Sequence, residues 1–271
     1  GPVTAGPTPL GGGGAAGGVP IRIERQRTSK SILNMSWDYP VYVSEAELAL
    51  EKSTASTVAQ SVRKALPREE SFAWIAGDAL PPLLVCRGCL FFNGTDYALL
   101  NRSEDNERTL LMARWFHCVK LPTDVTEEDH PFAAMFPDNK PPHLFVCSPD
   151  GSNMQSLSGE QSRKELWDAM EDTLKLEYTR NAKKPVRELL KVLVTYDTLD
   201  GMEDWRVEQL EAALEKDGAK SRKAAKIRKQ IAKLRTDKAE AKAKEAKLSD
   251  LGLKRKPVPE KVEETDKIAT S

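Results

Sequence analysis

The sequence has no long apolar run, few cysteines and few aromatic residues. It contains no stretch of about 18 apolar residues, so no segment is expected to span a membrane as a helix. Four cysteines in 271 residues are too few for a small fold held together by disulfides. The hydrophobic fraction of 39% is below, and the charged fraction of 30% above, the usual globular range. Part of the chain is therefore expected to lack a hydrophobic core.

The first twenty residues have the composition of a linker. The chain begins with Gly1 rather than Met, as expected of a processed chain or a fragment. Residues 1–20 contain eight of the sixteen glycines and four of the seventeen prolines. Such a segment cannot bury enough apolar surface to offset its ordering entropy. We therefore predict a flexible Gly/Pro-rich leader over residues 1–20.

Positive charge is concentrated near the end of the chain. Residues 216–256 contain sixteen Lys or Arg and five Asp or Glu, a net charge of +11, although the whole chain is neutral. The segment is rich in Ala and Lys, which favour helix. Ile227, Ile231 and Leu234 are spaced by four and three residues, the start of a coiled-coil seam. We predict a charged helical arm over residues 181–250 and a disordered tail over residues 251–271.

Between the leader and the arm, short apolar runs alternate with helical patterns. Extended segments are predicted at residues 21–23 and 39–43. A helix is predicted over residues 45–65, where Ser44 and Glu47 form a capping box at its start. A second helical segment is predicted from Tyr97 to Trp115. The predicted strands are Ser71 to Gly77, Leu83 to Cys86, Phe116 to Leu121, His143 to Cys147, and Met154 to Leu157. Ser148-Pro149-Asp150-Gly151 is a hairpin turn, because Pro presets φ and Gly supplies a positive φ. A capping box at Ser158 and Gln161 predicts the start of the following helix.

The order of elements from Leu83 to Tyr178 resembles the thioredoxin-like fold. The most specific part is Lys140-Pro141-Pro142-His143-Leu144-Phe145-Val146, followed by Pro149-Asp150-Gly151. Thioredoxin-like proteins place a cis-proline before this strand, and Pro142 matches that proline. The resemblance covers about a third of the chain. It implies an α/β domain over residues 21–180, with a mixed sheet flanked by helices, an N-terminal extension and a C-terminal helical extension.

In that family, redox chemistry needs two thiols at a helix N-terminus, where the helix dipole favours a thiolate. Cys86-Arg87-Gly88-Cys89 has the C-x-x-C spacing, with Cys86 as the nucleophile and Cys89 as the resolving thiol. If the strand continues through these residues, however, the helix begins near Asp96, where no Cys occurs. A redox-competent pair and a degenerate site both remain open. The resemblance places Pro142, His143 and Asp96 beside the substrate groove.

The remaining cysteines and histidines favour simpler interpretations. Cys118 and Cys147 lie in predicted strands and are expected to be buried small hydrophobes. A zinc site from Cys86, Cys89, Cys118 and His117 is disfavoured. His117 and Cys118 are adjacent on a predicted strand, so their side chains should point to opposite faces. His130 is predicted to be a loop residue. No metal or cofactor is predicted.

Three functions follow from these patterns. In the first, the chain is a thioredoxin-like protein-interaction module without redox activity, and its partners are other proteins. In the second, it is an enzyme, a thiol–disulfide oxidoreductase that uses Cys86 and Cys89. In the third, residues 216–256 bind anionic polymers through a basic helix, independently of sequence and sensitively to salt. The sequence does not fix the compartment of the cell.

Overall fold

A computed structural model describes residues 24–42, 64–78, 80–88, 99–138, 140–157, 161–218 and 221–255. In these ranges the chain forms a mixed α/β fold, and the predicted α/β class is confirmed. The strands are β1 (Leu83–Arg87), β2 (His117–Leu121), β3 (Leu144–Cys147) and β4 (Gln155–Leu157). The α-helices are α1 (Arg27–Ile32), α2 (Arg68–Ala76), α3 (Glu107–Ala113), α4 (Arg163–Glu177), α5 (Lys183–Asp217) and α6 (Arg222–Ser249). Short 3₁₀ helices cover Glu104–Asn106, Thr123–Thr126 and Ala133–Met135. The predicted leader and most of the predicted helix over residues 45–65 lie outside the described residues.

The four strands form one mixed sheet in the order β2-β1-β3-β4. β1 runs parallel to β2 and antiparallel to β3, and β3 and β4 form an antiparallel hairpin. A further bridge joins Val119 of β2 to Asp38, which lies in the predicted N-terminal extension. β1 is therefore an inner strand, and its end is flanked by the end of β2 and the start of β3.

Alternate residues of the inner strands enter two hydrophobic cores on opposite faces of the sheet. Leu84 and Cys86 belong to the core shared with α3, α4 and the first half of α5. Leu83 and Val85 belong to the core shared with α2 and residues 125–136. The start of the predicted arm thus shares a core with the sheet, because Val186 and other residues of α5 are buried there.

The prediction of a strand from Ser71 to Gly77 is wrong, since these residues lie in α2 and at its C-cap. The helix begins after Pro67, and Glu69 and Glu70 occupy its first turn, where negative charge is favoured. The buried residues Phe72, Ile75 and Ala76 are spaced as on one face of a helix. The short apolar segment fitted the residue period of a strand as well as that of a helix. The helix forms because it buries this face in the core.

The helix that follows β4 begins four residues later than its predicted capping box. The capping box is formed by Ser162 and Glu165: the Ser162 hydroxyl accepts from the Glu165 N–H, and the Glu165 carboxylate accepts from the Ser162 N–H. Leu166, Met170 and Leu174 recur every four residues on one face of this helix and are each at most 1% exposed.

The arm is an antiparallel pair of long helices. α5 is one continuous helix of 35 residues with Gly218 at its C-cap. Residues of α6 that face α5 recur at alternating intervals of three and four, as in a coiled coil. They are Ala224, Ile227, Ile231, Leu234, Lys238, Ala241, Glu245 and Leu248.

Residues 250–255 return to the end of α4, although the sequence assigned residues from 251 onward to a disordered tail. Leu251 is 1% exposed, and Tyr178 pairs with Leu253. Lys254 donates to the last carbonyls of α4, at Lys175 and Leu176. In return, Arg180 donates to carbonyls at the end of α6, at Lys247 and Asp250. Each helix end is thus capped by a cation from the other segment.

The predicted hairpin turn is confirmed and supplies a test of the fold. Gly151 has a φ of +77°, and its N–H donates to the Ser148 carbonyl. A Cβ at this position would lie 2.4 Å from Cδ2 of Phe72. The strained φ and the clash should together lower the unfolding free energy of Gly151→Ala by about 3 kcal/mol, measured by urea denaturation.

Gly218→Ala separates these two costs. Gly218 has a φ of +74°, but a Cβ there would have no heavy atom within 4 Å. This variant should lose only the conformational part, about 1 kcal/mol. Equal losses in the two variants would show that Phe72 does not press against the turn.

Candidate functional site

The first cysteine of the C-x-x-C sequence lies inside a strand. Cys86 is 8% exposed and is paired in register with Lys120 of β2 and Leu144 of β3. The chain stays extended after it, because the Gly88 N–H donates to the Leu121 carbonyl at 2.8 Å. Cys86 is therefore not at the start of a helix, which is the position that would favour a thiolate. Cys89 and Asp96 lie outside the described residues.

Arg87 joins the end of β1 to the proline-led segment. Its guanidinium donates to the carbonyls of Pro141 and Pro142 at 3.2 and 3.4 Å. It also lies 3.3 Å from Nδ1 of His143, while the Arg87 N–H donates to the His143 carbonyl at 2.7 Å. A guanidinium can only donate, so Nδ1 is the acceptor and a neutral His143 carries its proton on Nε2. The structure thus brings the predicted groove residues Pro142 and His143 against the C-x-x-C segment.

The thiol of Cys86 and the imidazole of His143 lie on opposite faces of the sheet. Cys86 and its register partner Leu144 both belong to the core beneath α3, α4 and α5. Arg87 directly follows Cys86, and His143 directly precedes Leu144. Because successive side chains of a strand point to opposite faces, Arg87 and His143 point to the other face of the sheet. His143 therefore cannot exchange a proton directly with Cys86. The predicted site residues are neighbours in the fold but do not form one catalytic group.

The peptide bond that precedes Pro142 is trans, which corrects the expectation of a cis-proline. Pro142 itself is buried, while His143 is half-buried. The sequence could predict that this segment leads into an inner strand. It could not predict the isomer, because an Arg side chain from another strand holds the two proline carbonyls.

The other described cysteines are structural, as predicted. Cys118 and Cys147 are 5% and 0% exposed. Burial raises the pKa of each thiol to about 12, so both stay protonated at neutral pH. In the described part of the chain, no three His, Cys, Asp or Glu side chains are grouped so that they could hold a metal ion. His130, predicted to be a loop residue, is buried, and its Nδ1 accepts from the Phe132 N–H.

A second cleft, far from the proline segment in the fold, lies between α1, α5 and α6. It has a volume of about 710 Å³ and includes Thr28, Arg114, Tyr196 and Lys242 in its lining. Most of its charges are paired within the protein: Arg114 with Glu245, Arg235 with Glu203, and Lys238 with Asp200. The cleft therefore has the character of a structural polar junction.

Asp200 is the buried centre of this junction, and no sequence pattern indicated its role. Its carboxylate is fully buried and accepts from Lys238 and from both the N–H and the hydroxyl of Thr28. Burial alone would raise the pKa of Asp200. The hydrogen bonds from Lys238 and Thr28 outweigh burial and hold the pKa below its usual value. These partners are 38 and 172 residues away in the sequence, so no local pattern reveals them.

Comparison with protein-family models, with curated proteins and with solved structures gives no significant match. The described residues contain no helix that is both long and apolar enough to cross a membrane. The function must therefore be argued from the geometry of the chain itself.

Replacing the buried carboxylate tests the polar junction. Asp200→Asn should lower the unfolding free energy by about 2 kcal/mol at pH 7, because it removes the fully buried charge that accepts hydrogen bonds from Lys238 and Thr28 and leaves Lys238 only Glu203, at 3.9 Å. Asp204→Asn, four residues along α5, removes an exposed ion pair with Arg27 and should cost no more than about 0.5 kcal/mol. Similar losses in both variants would contradict the special role of Asp200.

Wild type and Asp200→Asn should also differ in how their stability responds to acid. Because the folded pKa of Asp200 is lowered, its contribution is fully present above the unfolded value of about 4 and is lost as pH falls through the folded value. The difference in stability between wild type and Asp200→Asn should therefore shrink below about pH 4. A difference that stays constant from pH 7 to pH 3 would show that the charge is not what stabilises the junction.

Proposed function

We propose that this protein is a thioredoxin-like protein-interaction module that does not use dithiol chemistry. The observation that carries the proposal is the placement of Cys86. The thiol is buried inside β1, whereas Arg87 and His143 beside it lie on the opposite face. A site in which Arg87 and His143 lie on the face of the sheet opposite the sulfur is suited to binding rather than to electron transfer.

The arrangement of the sheet supports the thioredoxin-like part of this proposal. The chain from Leu83 to Tyr178 contains a strand, a helix, a parallel strand, an antiparallel hairpin and a closing helix, in the predicted order. The proline-led segment meets the end of β1 through Arg87, as a substrate groove of this family requires. The trans bond before Pro142 is a departure from the family pattern.

Exposed apolar and aromatic side chains on the same side of the sheet support a protein partner. α2 packs on the face opposite Cys86, and Trp74 on this helix is 43% exposed. Tyr42 contacts the Trp74 ring at a centroid distance of 4.9 Å, and the nearby Tyr39 and Val41 are 60% and 74% exposed. Aromatic residues together with Arg are enriched in protein interfaces.

An insulin reduction assay tests the absence of dithiol chemistry. Wild type, Cys86→Ser and the control Cys118→Ala should all show only background rates with dithiothreitol or with a thioredoxin reductase system. Activity in wild type that disappears in Cys86→Ser but survives in Cys118→Ala would replace this proposal by the alternative, a thiol–disulfide oxidoreductase that uses Cys86 and Cys89.

Peptide selection tests the binding function. Peptides selected by display on the wild-type protein should bind His143→Ala or Trp74→Ala at least tenfold more weakly by fluorescence anisotropy, a loss of about 1.4 kcal/mol. Lys164→Gln removes an exposed charge on α4, away from this surface, and should leave the affinity unchanged. Peptides that bind all variants equally would place the interaction elsewhere and contradict the proposed groove.

A further inference from the structure

The cations of α6 divide into two groups along the helix. The helix carries eleven Lys or Arg residues against three Asp or Glu. Three cations that follow Leu234 are used within the protein: Arg235 pairs with Glu203, Lys238 with Asp200, and Lys244 with Glu188. Their charge contributes to the packing of the arm and is largely neutralised there.

The first half of α6 has cations but no acids. Between residues 222 and 236 the sequence contains no Asp or Glu. Six cations that precede Leu234 are all exposed, and none has an ion-pair partner within the described residues. They are Arg222, Lys223, Lys226, Arg228, Lys229 and Lys233.

Four of these six cations form a straight ridge. Arg222, Lys226, Lys229 and Lys233 are spaced by four, three and four residues, which places them on one side of a helix. The side that packs on α5 contains Ala224, Ile227, Ile231 and Leu234 in the same turns. The basic ridge therefore points away from α5 and extends over about 16 Å.

The opposite helix explains why the ridge is not neutralised. α5 carries Glu208, Glu211 and Glu215 in the part that pairs with this half of α6, and all three are exposed. The residues that α5 directs toward α6 are instead Val207, Leu210 and Ala213. The acids thus lie on the outward side of α5, away from the basic ridge, and the end of the hairpin has two outer surfaces of opposite charge.

We propose that the basic ridge of α6 binds the phosphate backbone of double-stranded nucleic acid without reading its sequence. A duplex carries one negative charge per about 1.7 Å of its axis, and each cation that neutralises a phosphate releases a condensed counterion. This entropy gain makes binding by cations alone effective. Exposed ion pairs with an acidic protein surface contribute only about 0–1 kcal/mol each and are screened by salt.

The composition of the ridge also favours a duplex over a single strand or a membrane. α6 has no aromatic residue, so it offers no platform on which unpaired bases could stack. A helix that lies in a membrane interface buries its apolar side among the lipids. In α6 that side is occupied by α5, so only contact through charge remains.

The test measures binding of the full chain to a fluorescent 30-base-pair duplex of random sequence between 20 and 200 mM NaCl. Wild type should bind at low salt, and log K should fall against log[NaCl] with a slope of about −4.5 to −5.5, as expected when the four ridge cations and one or both of the neighbouring Lys223 and Arg228 each neutralise a phosphate. Substituting Arg222, Lys226, Lys229 and Lys233 by Gln should weaken binding at least tenfold and bring the slope close to −1 to −2. Gln keeps the helix propensity, and circular dichroism checks that the helix is intact.

A matched control removes four cations elsewhere, with Gln at Lys164, Lys175, Lys183 and Lys191, each of which pairs with an acid in the structure. This variant has the same net charge as the ridge variant and should retain most of the affinity. Equal losses in both variants, or no binding at 20 mM NaCl, would overturn the proposal. Tighter binding to vesicles that contain phosphatidylserine than to the duplex would also overturn it, in favour of a membrane. This test is independent of the groove near Pro142, because no ridge residue contacts it.

Discussion

A fully buried carboxylate, Asp200 on α5, joins α1 and α6 to that helix, in addition to the apolar core that the arm shares with the sheet. Asp200 receives hydrogen bonds from α1 through Thr28 and from α6 through Lys238. An unpaired charge at a fully buried position would be costly, so the three helices can only pack in the arrangement that satisfies this carboxylate. The interaction specifies how the three helices align, as polar residues in the seams of coiled coils specify the register of their helices.

The same carboxylate acts together with the apolar seam to orient α6 on α5. With Lys238 held at the seam, the heptad positions on either side of it are fixed, from Ala224 to Leu248. Arg235, Lys238 and Lys244, which follow Leu234, then reach acids on α5, and the cations before Leu234 do not. The uneven distribution of charge along α6 in the sequence is thus reinforced in the structure, where the cations of the first part stay exposed and several of the later ones are paired.

The local elements were largely predictable, and the contacts that join them were not. Apolar runs and turn residues gave the strands and the turn at Gly151, because these depend on near neighbours. The seam of α6 is longer than the three residues that the sequence indicated, because Ala224, Ala241 and Leu248 also face α5 and because Lys238 and Glu245 occupy seam positions and find polar partners on α5. At the candidate site, proximity in sequence was misleading: Cys86 and Arg87 are adjacent, yet strand alternation sends them to different faces.

The end of the hairpin has a small core of its own. Ala213, Ile227 and Ile231 form a cluster separate from the cores beneath the sheet, with Val207 and Leu210 beside them. Few apolar contacts hold this region, so it can open locally while the sheet and the base of the arm stay folded. Amide hydrogens around Gly218 should then exchange with solvent much sooner than those of β1, and exchange in the arm should slow progressively toward Asp200.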